Sequence, residues 1–310
     1  GVDVTLSANV ELARDVQMAT ELNAAGVGLL RTEFMFMNRD DLPGEEEQYT
    51  ILRGMVEGMA GKTVTIRTLD LGGDKIASAL GGRFAETANP SLGLRAIRLS
   101  LKEPKLLDAQ LAAILRAGAH GPIRILLPMI TTVGEIRAVK AALDRTMRRL
   151  KRRRVPVPAA MPPLGVMIEV PGAALIADAL AREVDFFAIG TNDLVMYTLA
   201  ADRGDEAVSH LYDPLHTSVL RLVQFTVEAA LRARIPVSAC GEIAGDPRFT
   251  ALLVGLGIRD LSMAPLRLLE VKRRILTLDS VAAARRARMM LDQTDSGRIA
   301  ALLDDFNEGG

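Results

Sequence analysis

Eight short β-rich segments, several of them almost wholly apolar, recur along this chain, separated by longer stretches rich in Ala, Leu, Arg and Glu. This alternation constrains the fold more than any other feature. Strands buried on both faces and spaced by helix-length segments belong to a parallel sheet built from βα units. The segments are Val4 to Ala8, Val27 to Leu30, Val64 to Ile66, Ile123 to Leu127, Gly165 to Ile168, Phe186 to Ile189, Val237 to Ala239 and Leu261 to Ala264. Eight such strands predict a closed α/β barrel, the (β/α)8 or TIM barrel, which commonly uses about 250 residues as one unit. With 49% of its 310 residues hydrophobic, the chain can fill a core of that size.

The spacing between the strands predicts helices. Val10 to Ala25, Pro104 to Arg116, Val133 to Leu150 and Leu215 to Arg234 carry apolar residues at three- and four-residue intervals. Pro247 to Gly255 and Pro265 to Leu276 open with proline at the first helical position. Ser280 to Leu303 reads as a further helical tail, broken near Ser296 and Gly297. The expected division is a barrel over residues 1–279 and a C-terminal helical extension of the same domain over 280–310.

Gly72 to Glu103 and Arg152 to Pro163 exceed ordinary loop lengths. Lys151, Arg152, Arg153 and Arg154, followed by four prolines up to Pro163, form either a nucleic-acid patch or a solvated linker. No aromatic residue accompanies the run, and 38 Lys plus Arg balance 38 Asp plus Glu over the chain. The linker reading is therefore preferred, and no general nucleic-acid binding is expected. The single cysteine, Cys240, cannot form an internal disulfide, which fits a reducing, cytoplasmic setting. No long apolar run and no signal segment occur, so no membrane span is expected.

In a βα barrel the active site lies at the C-terminal ends of the strands. There the chain carries Asn9 after the first strand, Arg31, Thr32 and Glu33 after the second, and Arg67, Thr68 and Asp70 after the third. Glu169 follows the fifth strand, Thr191, Asn192 and Asp193 the sixth, and Cys240, Gly241 and Glu242 the seventh. Arg31 and Arg67 offer planar forks matched to phosphate or carboxylate oxygens, implying an anionic substrate. For either arginine alone, a rim salt bridge would be an equal reading. Glu169 and Asp193, on adjacent strands with no histidine cluster, favour a hard cation with oxygen ligands, Mg²⁺ above all. Leu71-Gly-Gly-Asp-Lys75 is a weak motif that does not match a P-loop, and Arg203 lies where a loop could bring it over the mouth. A lone cysteine is ordinarily a buried, inert hydrophobe. Cys240 differs in closing an apolar strand that faces an expected electropositive mouth. His120, His210 and His216 show no ligand pattern.

These residues stand in motifs whose order and spacing resemble one family over most of the chain. The motifs are Gly26-Val-Gly-Leu-Leu-Arg-Thr-Glu-Phe34, Arg67-Thr-Leu-Asp-Leu-Gly-Gly-Asp-Lys75, Asn89-Pro-Ser-Leu-Gly-Leu-Arg-Ala-Ile-Arg98 and Glu183-Val-Asp-Phe-Phe-Ala-Ile-Gly-Thr-Asn-Asp193. Asp202-Arg-Gly204, Ser209-His-Leu-Tyr212 and Cys240-Gly-Glu-Ile-Ala-Gly-Asp246 complete the set. The resemblance is to the C-terminal, phosphoenolpyruvate-binding domain of enzyme I of the sugar phosphotransferase system, with fused multiphosphoryl transfer proteins as alternative closer relatives. It implies a phosphoenolpyruvate-protein phosphotransferase that binds phosphoenolpyruvate and Mg²⁺, passes the phosphoryl group to a histidine on a separate N-terminal domain and releases pyruvate.

By motif, Arg31, Arg67, Asn192, Asp193 and Arg203 would bind substrate, with Lys75 and Arg95 as weaker assignments. Glu169 and Asp193 would hold the metal, and Cys240 would protonate the enolate. The resemblance further implies a phosphocarrier partner and a homodimer, with Met289 and Met290 compatible with the latter. Val170 and the Leu194-Val-Met-Tyr197 segment depart from the family by losing polar neighbours of the proposed ligands. No phosphohistidine domain can be located, and the chain starts at Gly1, so a catalytic piece of a longer polypeptide is expected. Two rivals remain: the barrel of a pyruvate phosphate dikinase or phosphoenolpyruvate synthase, and a phosphoenolpyruvate-sensing dimerisation module without chemistry.

Overall fold

The computed structural model describes residues 2–72 and 89–308. Eight parallel strands close into a barrel in sequence order, with β1 hydrogen-bonded to both β2 and β8. They are β1 (Thr5–Val10), β2 (Val27–Leu30), β3 (Val64–Arg67), β4 (Ile123–Leu127), β5 (Leu164–Ile168), β6 (Phe186–Ile189), β7 (Val237–Cys240) and β8 (Asp260–Met263). The barrel expected from the sequence is therefore present, with strand limits displaced by one or two residues. The largest displacement is at β1, which runs on to Val10 and takes Asn9 into the strand, where its Oδ1 accepts a hydrogen bond of 2.6 Å from Ser262.

Alternation along each strand sorts side chains into two cores. Ile66, Ile125, Ile168, Ile189 and Ala239 face outward into the layer shared with the helices. Leu29, Leu126, Met167, Phe186, Ala188 and Cys240 form a separate cluster that fills the interior. Gly165 belongs to the interior as well, since a β-carbon there would lie 2.4 Å from the Phe186 ring. Each fully buried Leu, Ile or Phe contributes about 1.5–3 kcal/mol, so these two layers carry most of the fold's stability.

The helices are α1 (Ala13–Glu21), α2 (Glu45–Gly58), α3 (Ala96–Lys102), α4 (Pro104–Ala117), α5 (Val133–Arg152), α6 (Pro171–Leu175) and α7 (Ala177–Leu180). After β6 come α8 (Thr191–Leu199), α9 (Thr217–Ala233), α10 (Pro247–Gly255), α11 (Leu268–Leu276), α12 (Ser280–Leu291) and α13 (Ser296–Glu308). Local chemistry explains their ends. Thr132 and Glu135 form a capping box at the start of α5. Proline occupies the first turn of α4, α6 and α10, where its missing N–H costs nothing.

Several expectations are corrected. The first helix is shorter than Val10 to Ala25 because β1 claims its start. The tail is two helices, and Ser296 opens the second of them. Met290 is fully buried against the chain's own core, so it is not an exposed dimer contact. The stretch after β3 contains α3, and the basic run begins inside α5, with Lys151 and Arg152 as its last residues. Among the described residues, no helix is long and apolar enough to cross a membrane.

Candidate active site

The C-terminal ends of the strands enclose a cleft of about 400 Å³ that contains Arg31, Arg67, Arg95, Glu169, Asn192, Asp193, Arg203 and Cys240 along its walls. Every described candidate from the sequence therefore reaches one cavity; Lys75 lies outside the described residues. A larger cleft of about 690 Å³ adjoins it over the ends of β7, β8 and β1 and shares Glu11, Arg31 and Asn192. The smaller one holds the concentrated chemistry.

Arg67 is the last residue of β3 and is 9% exposed. Its guanidinium pairs with Glu33 at 3.2 Å and Asp70 at 3.0 Å. Burial works to lower its pKa, but Glu33, Asp70 and Glu169 outweigh that and hold it firmly charged. Its Nε is buried without an acceptor among the described residues. Gln110 of α4 braces the strand exit: Leu69 N–H donates to its Oε1 at 2.9 Å, and its Nε2 donates to the Thr32 hydroxyl at 3.2 Å. Thr32 in turn donates to the Arg67 carbonyl at 3.0 Å.

Arg95, just before α3, pairs with Asp70 at 2.8 Å and lies 3.7 Å from Asp193. It also donates to the Tyr197 hydroxyl, which donates onward to the Ser91 carbonyl. An antiparallel bridge between Gly72 and Arg95 ties the two ends of the long β3–α3 connection together.

Glu169 follows β5 and is 2% exposed, accepting a 2.6 Å hydrogen bond from the Met129 N–H. Met129 adopts the left-handed conformation (φ 56°), a strained arrangement of the kind that clusters at functional sites. Gly190 leaves room for the carboxylate, since a β-carbon there would sit 2.7 Å from Oε2. Asn192 and Asp193 lie in the first turn of α8 rather than in a loop. Oxygen atoms of Asp70, Glu169 and Asp193 all fall within 4.8 Å of one another. Burial, with Asp70 and Asp193 nearby, holds the Glu169 carboxyl well above its usual range. Burial also raises Asp193, although Arg95 opposes it.

This inner group sets Glu33, Asp70, Glu169 and Asp193 against Arg67 and Arg95. Among the described residues its carboxylates outnumber its guanidinia by four to two. An all-oxygen donor set in which carboxyl groups outnumber guanidinia suits a hard divalent cation such as Mg²⁺, whose charge would favour their ionised form. Asp70 is the member whose role sequence reasoning missed: it stood at a strand end, but nothing in the sequence signals its approach to Glu169 across the barrel.

The rim arginines meet the other reading weighed for them. Arg31 is 2.6 Å from Glu11, and Arg203 pairs with Glu242, which also takes a weak hydrogen bond from Asn192. Both arginines thus line the cleft while resting on rim carboxylates. Among the described residues the surroundings of Cys240 are mixed in charge rather than electropositive, with Glu169 and Asp260 set against Arg67 and Arg31. Its thiol is 4% exposed, donates to the Ile189 carbonyl at 3.6 Å and is pushed up to about 12 by burial, with Glu169 adding to the effect. It remains a protonated thiol at neutral pH. His216 caps α9, and His120 bonds Tyr49 and Glu57 away from the cleft.

A family model described as the PEP-binding domain of PEP-utilising enzymes matches residues 1–280. The chain belongs to this family. It is 50% identical over 277 residues to the phosphoenolpyruvate-protein phosphotransferase of Cupriavidus necator, covering 89% of this chain and 47% of that protein. The phosphoenolpyruvate-protein phosphotransferase of Listeria monocytogenes is 42% identical over 306 residues, 99% of this chain and 53% of that protein. The chain spans about half the length of the curated relatives it matches. Among solved structures, a citrate lyase from Burkholderia xenovorans aligns with a TM-score of 0.57 at 15% identity, over 100% of this chain and 93% of that one. An aldolase/citrate lyase family protein from Burkholderia cenocepacia aligns at 0.52 and 17% identity, over 88% and 93%. These likenesses show the barrel fold alone.

Proposed function

We propose that the chain is the phosphoenolpyruvate- and Mg²⁺-binding catalytic part of a phosphoenolpyruvate-protein phosphotransferase, with residues 1–279 as barrel and 280–310 as its helical extension. The phosphoryl acceptor is a histidine on an N-terminal domain in the other half of the full-length protein. That protein would serve cytoplasmic sugar phosphotransfer through a phosphocarrier. The supporting observation is the convergence of Arg67, Glu169, Asp193 and Cys240 on one buried cleft.

In this reading Arg67, with its free Nε donor, and the rim arginines Arg31 and Arg203 grip the phosphate and carboxylate of the substrate. The Asn192 side chain completes the polar wall, and Arg95 anchors Asp70. Glu169 and Asp193 hold the metal, with Asp70 as a third oxygen donor. When bound, Mg²⁺ would supply charge neutralisation to the transferring phosphoryl group. When the bond between phosphorus and the enol oxygen breaks toward the acceptor histidine, an enolate remains. The Cys240 thiol then gives its proton to the methylene carbon, yielding pyruvate and a thiolate that is reprotonated from water. A thiol near 12 suits a donor to a strongly basic carbon and not a general base at neutral pH. Such catalysis rests on positioning and charge compensation. A homodimer is part of the same proposal, supported by exposed Leu266, Leu269, Leu276 and Val281 on and beside α11.

Titration calorimetry of the chain with phosphoenolpyruvate tests the reading. Binding is expected with Mg²⁺, and is expected to be lost with a chelator and in Asp193→Asn. Equal binding with and without the metal contradicts it.

A further inference from the structure

The end of α5 carries a cluster of cations that the proposed reaction does not use. Arg145, Arg148, Arg149 and Arg152 follow one another at i, i+3, i+4 and i+7, which places four guanidinia on one helical stripe about 10 Å long, with Lys151 beside it. They line a cleft of about 570 Å³ together with Thr146 and Asp108. α5 leaves the top of β4 and ends before β5 begins, so the stripe lies on the half of the helix farther from the mouth, against α4.

Nothing among the described residues neutralises the stripe. None of the five cations forms an ion pair with a described residue, although Asp108 lines the cleft, whereas Arg31, Arg67, Arg95 and Arg203 at the mouth each rest on a carboxylate. Arg149 reaches only the Asp108 backbone carbonyl, at 3.5 Å, and its Nε is buried with no acceptor. Like charges at i, i+3 and i+4 repel, and the favourable field of a helix C-terminus acts only over the last turn. Arg145 lies before that turn. The helix C-terminus favours Arg149, Lys151 and Arg152, while the mutual repulsion of the four guanidinia is left for an anion to relieve.

We propose that this cleft binds a small molecule bearing two or more phosphoryl groups. Several guanidinium forks in a row match successive phosphates, each fork making paired charge-assisted hydrogen bonds. No aromatic side chain lines the cleft, so neither a stacked nucleobase nor single-stranded nucleic acid is favoured.

Inorganic triphosphate in metal-free buffer is the probe, titrated calorimetrically into the full chain carrying Arg31→Ala and Arg203→Ala so that the mouth does not compete. One equivalent is expected to bind, more weakly as salt rises, with orthophosphate at least about tenfold weaker because it reaches fewer forks. Adding Arg145→Glu and Arg149→Glu weakens triphosphate at least about tenfold, the equivalent of one lost charge-assisted contact. Because Arg149 is half-buried, the exposed pair Arg148→Ala and Arg152→Ala serves as a second variant. It should weaken binding several-fold while leaving the unfolding transition in place. Absence of heat at millimolar triphosphate overturns the proposal. So do unchanged affinity in both cleft variants and equal affinity for orthophosphate.

Discussion

Replacing Arg67 by methionine removes a guanidinium that faces Glu33, Asp70 and Glu169 together, while keeping most of the side-chain volume. Removing one partner of a buried ion pair costs about 3–5 kcal/mol, because the other charge stays behind uncompensated. The structure points to the lower end of that range. Asp70 keeps Arg95 at 2.8 Å, and Glu33 is still 13% exposed and can be hydrated. Unfolding entropy for 310 residues is about 0.65 kcal/mol/K, so 3 kcal/mol lowers Tm by about 5 °C. If the carboxylates form a cation site, millimolar Mg²⁺ should raise Tm more in Arg67→Met than in the parent, since more uncompensated negative charge surrounds the ion. Thermal unfolding followed by circular dichroism, at matched ionic strength, reads both effects. An unchanged Tm, or an equal Mg²⁺ increment in the two proteins, would refute the electrostatic account of the cleft.

Glu169 and Asp193 have folded-state pKa values raised above their ordinary 4.5 and 3.8, so the native chain binds more protons than the unfolded one above those values. Their contribution to stability is complete below the ordinary values and is lost as pH rises through the elevated ones. In the absence of metal, Tm of the parent should decline with pH relative to a Glu169→Gln, Asp193→Asn double variant, and Mg²⁺ should cancel the difference. Glu242→Gln frees Arg203 from a rim ion pair of modest strength, so phosphoenolpyruvate should bind about two- to fivefold tighter; weaker binding by calorimetry would show that Glu242 instead holds Arg203 in place. Cys240→Ser should leave phosphoenolpyruvate affinity nearly unchanged but slow exchange of the pyruvate methyl protons with D₂O about 10²- to 10⁴-fold by NMR. Undiminished exchange would remove the thiol from the mechanism.

The barrel was legible because most strand positions are buried, and strands buried on both faces leave runs such as Phe186-Phe-Ala-Ile189 with no polar position to blur them. Arg67, Glu169 and Cys240 were legible for a related reason: each stands where such a run meets the mouth. α2 was missed although its three opening glutamates suit a helix N-terminus and Leu52, Met55, Val56 and Met59 keep helical spacing. The basic run divides: Arg153 and Arg154 lie in the exposed connection that the following prolines suggest, whereas Lys151 and Arg152 are the last two residues of the 20-residue α5. What remained hidden depends on contacts between distant strands and loops. Glu11 meets Arg31 across 20 positions and Glu242 meets Arg203 across 39, while Asp70 joins Glu169 and Asp193 only once the barrel closes. Among the described residues those carboxylates offset the arginines of an expected electropositive mouth, while the thiol of Cys240 is raised chiefly by its burial, with Glu169 adding to the effect.

The most direct test of the central claim is a crystal structure of the chain with phosphoenolpyruvate and Mn²⁺, read by anomalous scattering. The account predicts one anomalous peak among the carboxylates of Asp70, Glu169 and Asp193, with the substrate phosphate against Arg67 and its methylene carbon facing Cys240. A peak elsewhere, or substrate bound in the cleft with those carboxylates free of metal, would contradict it.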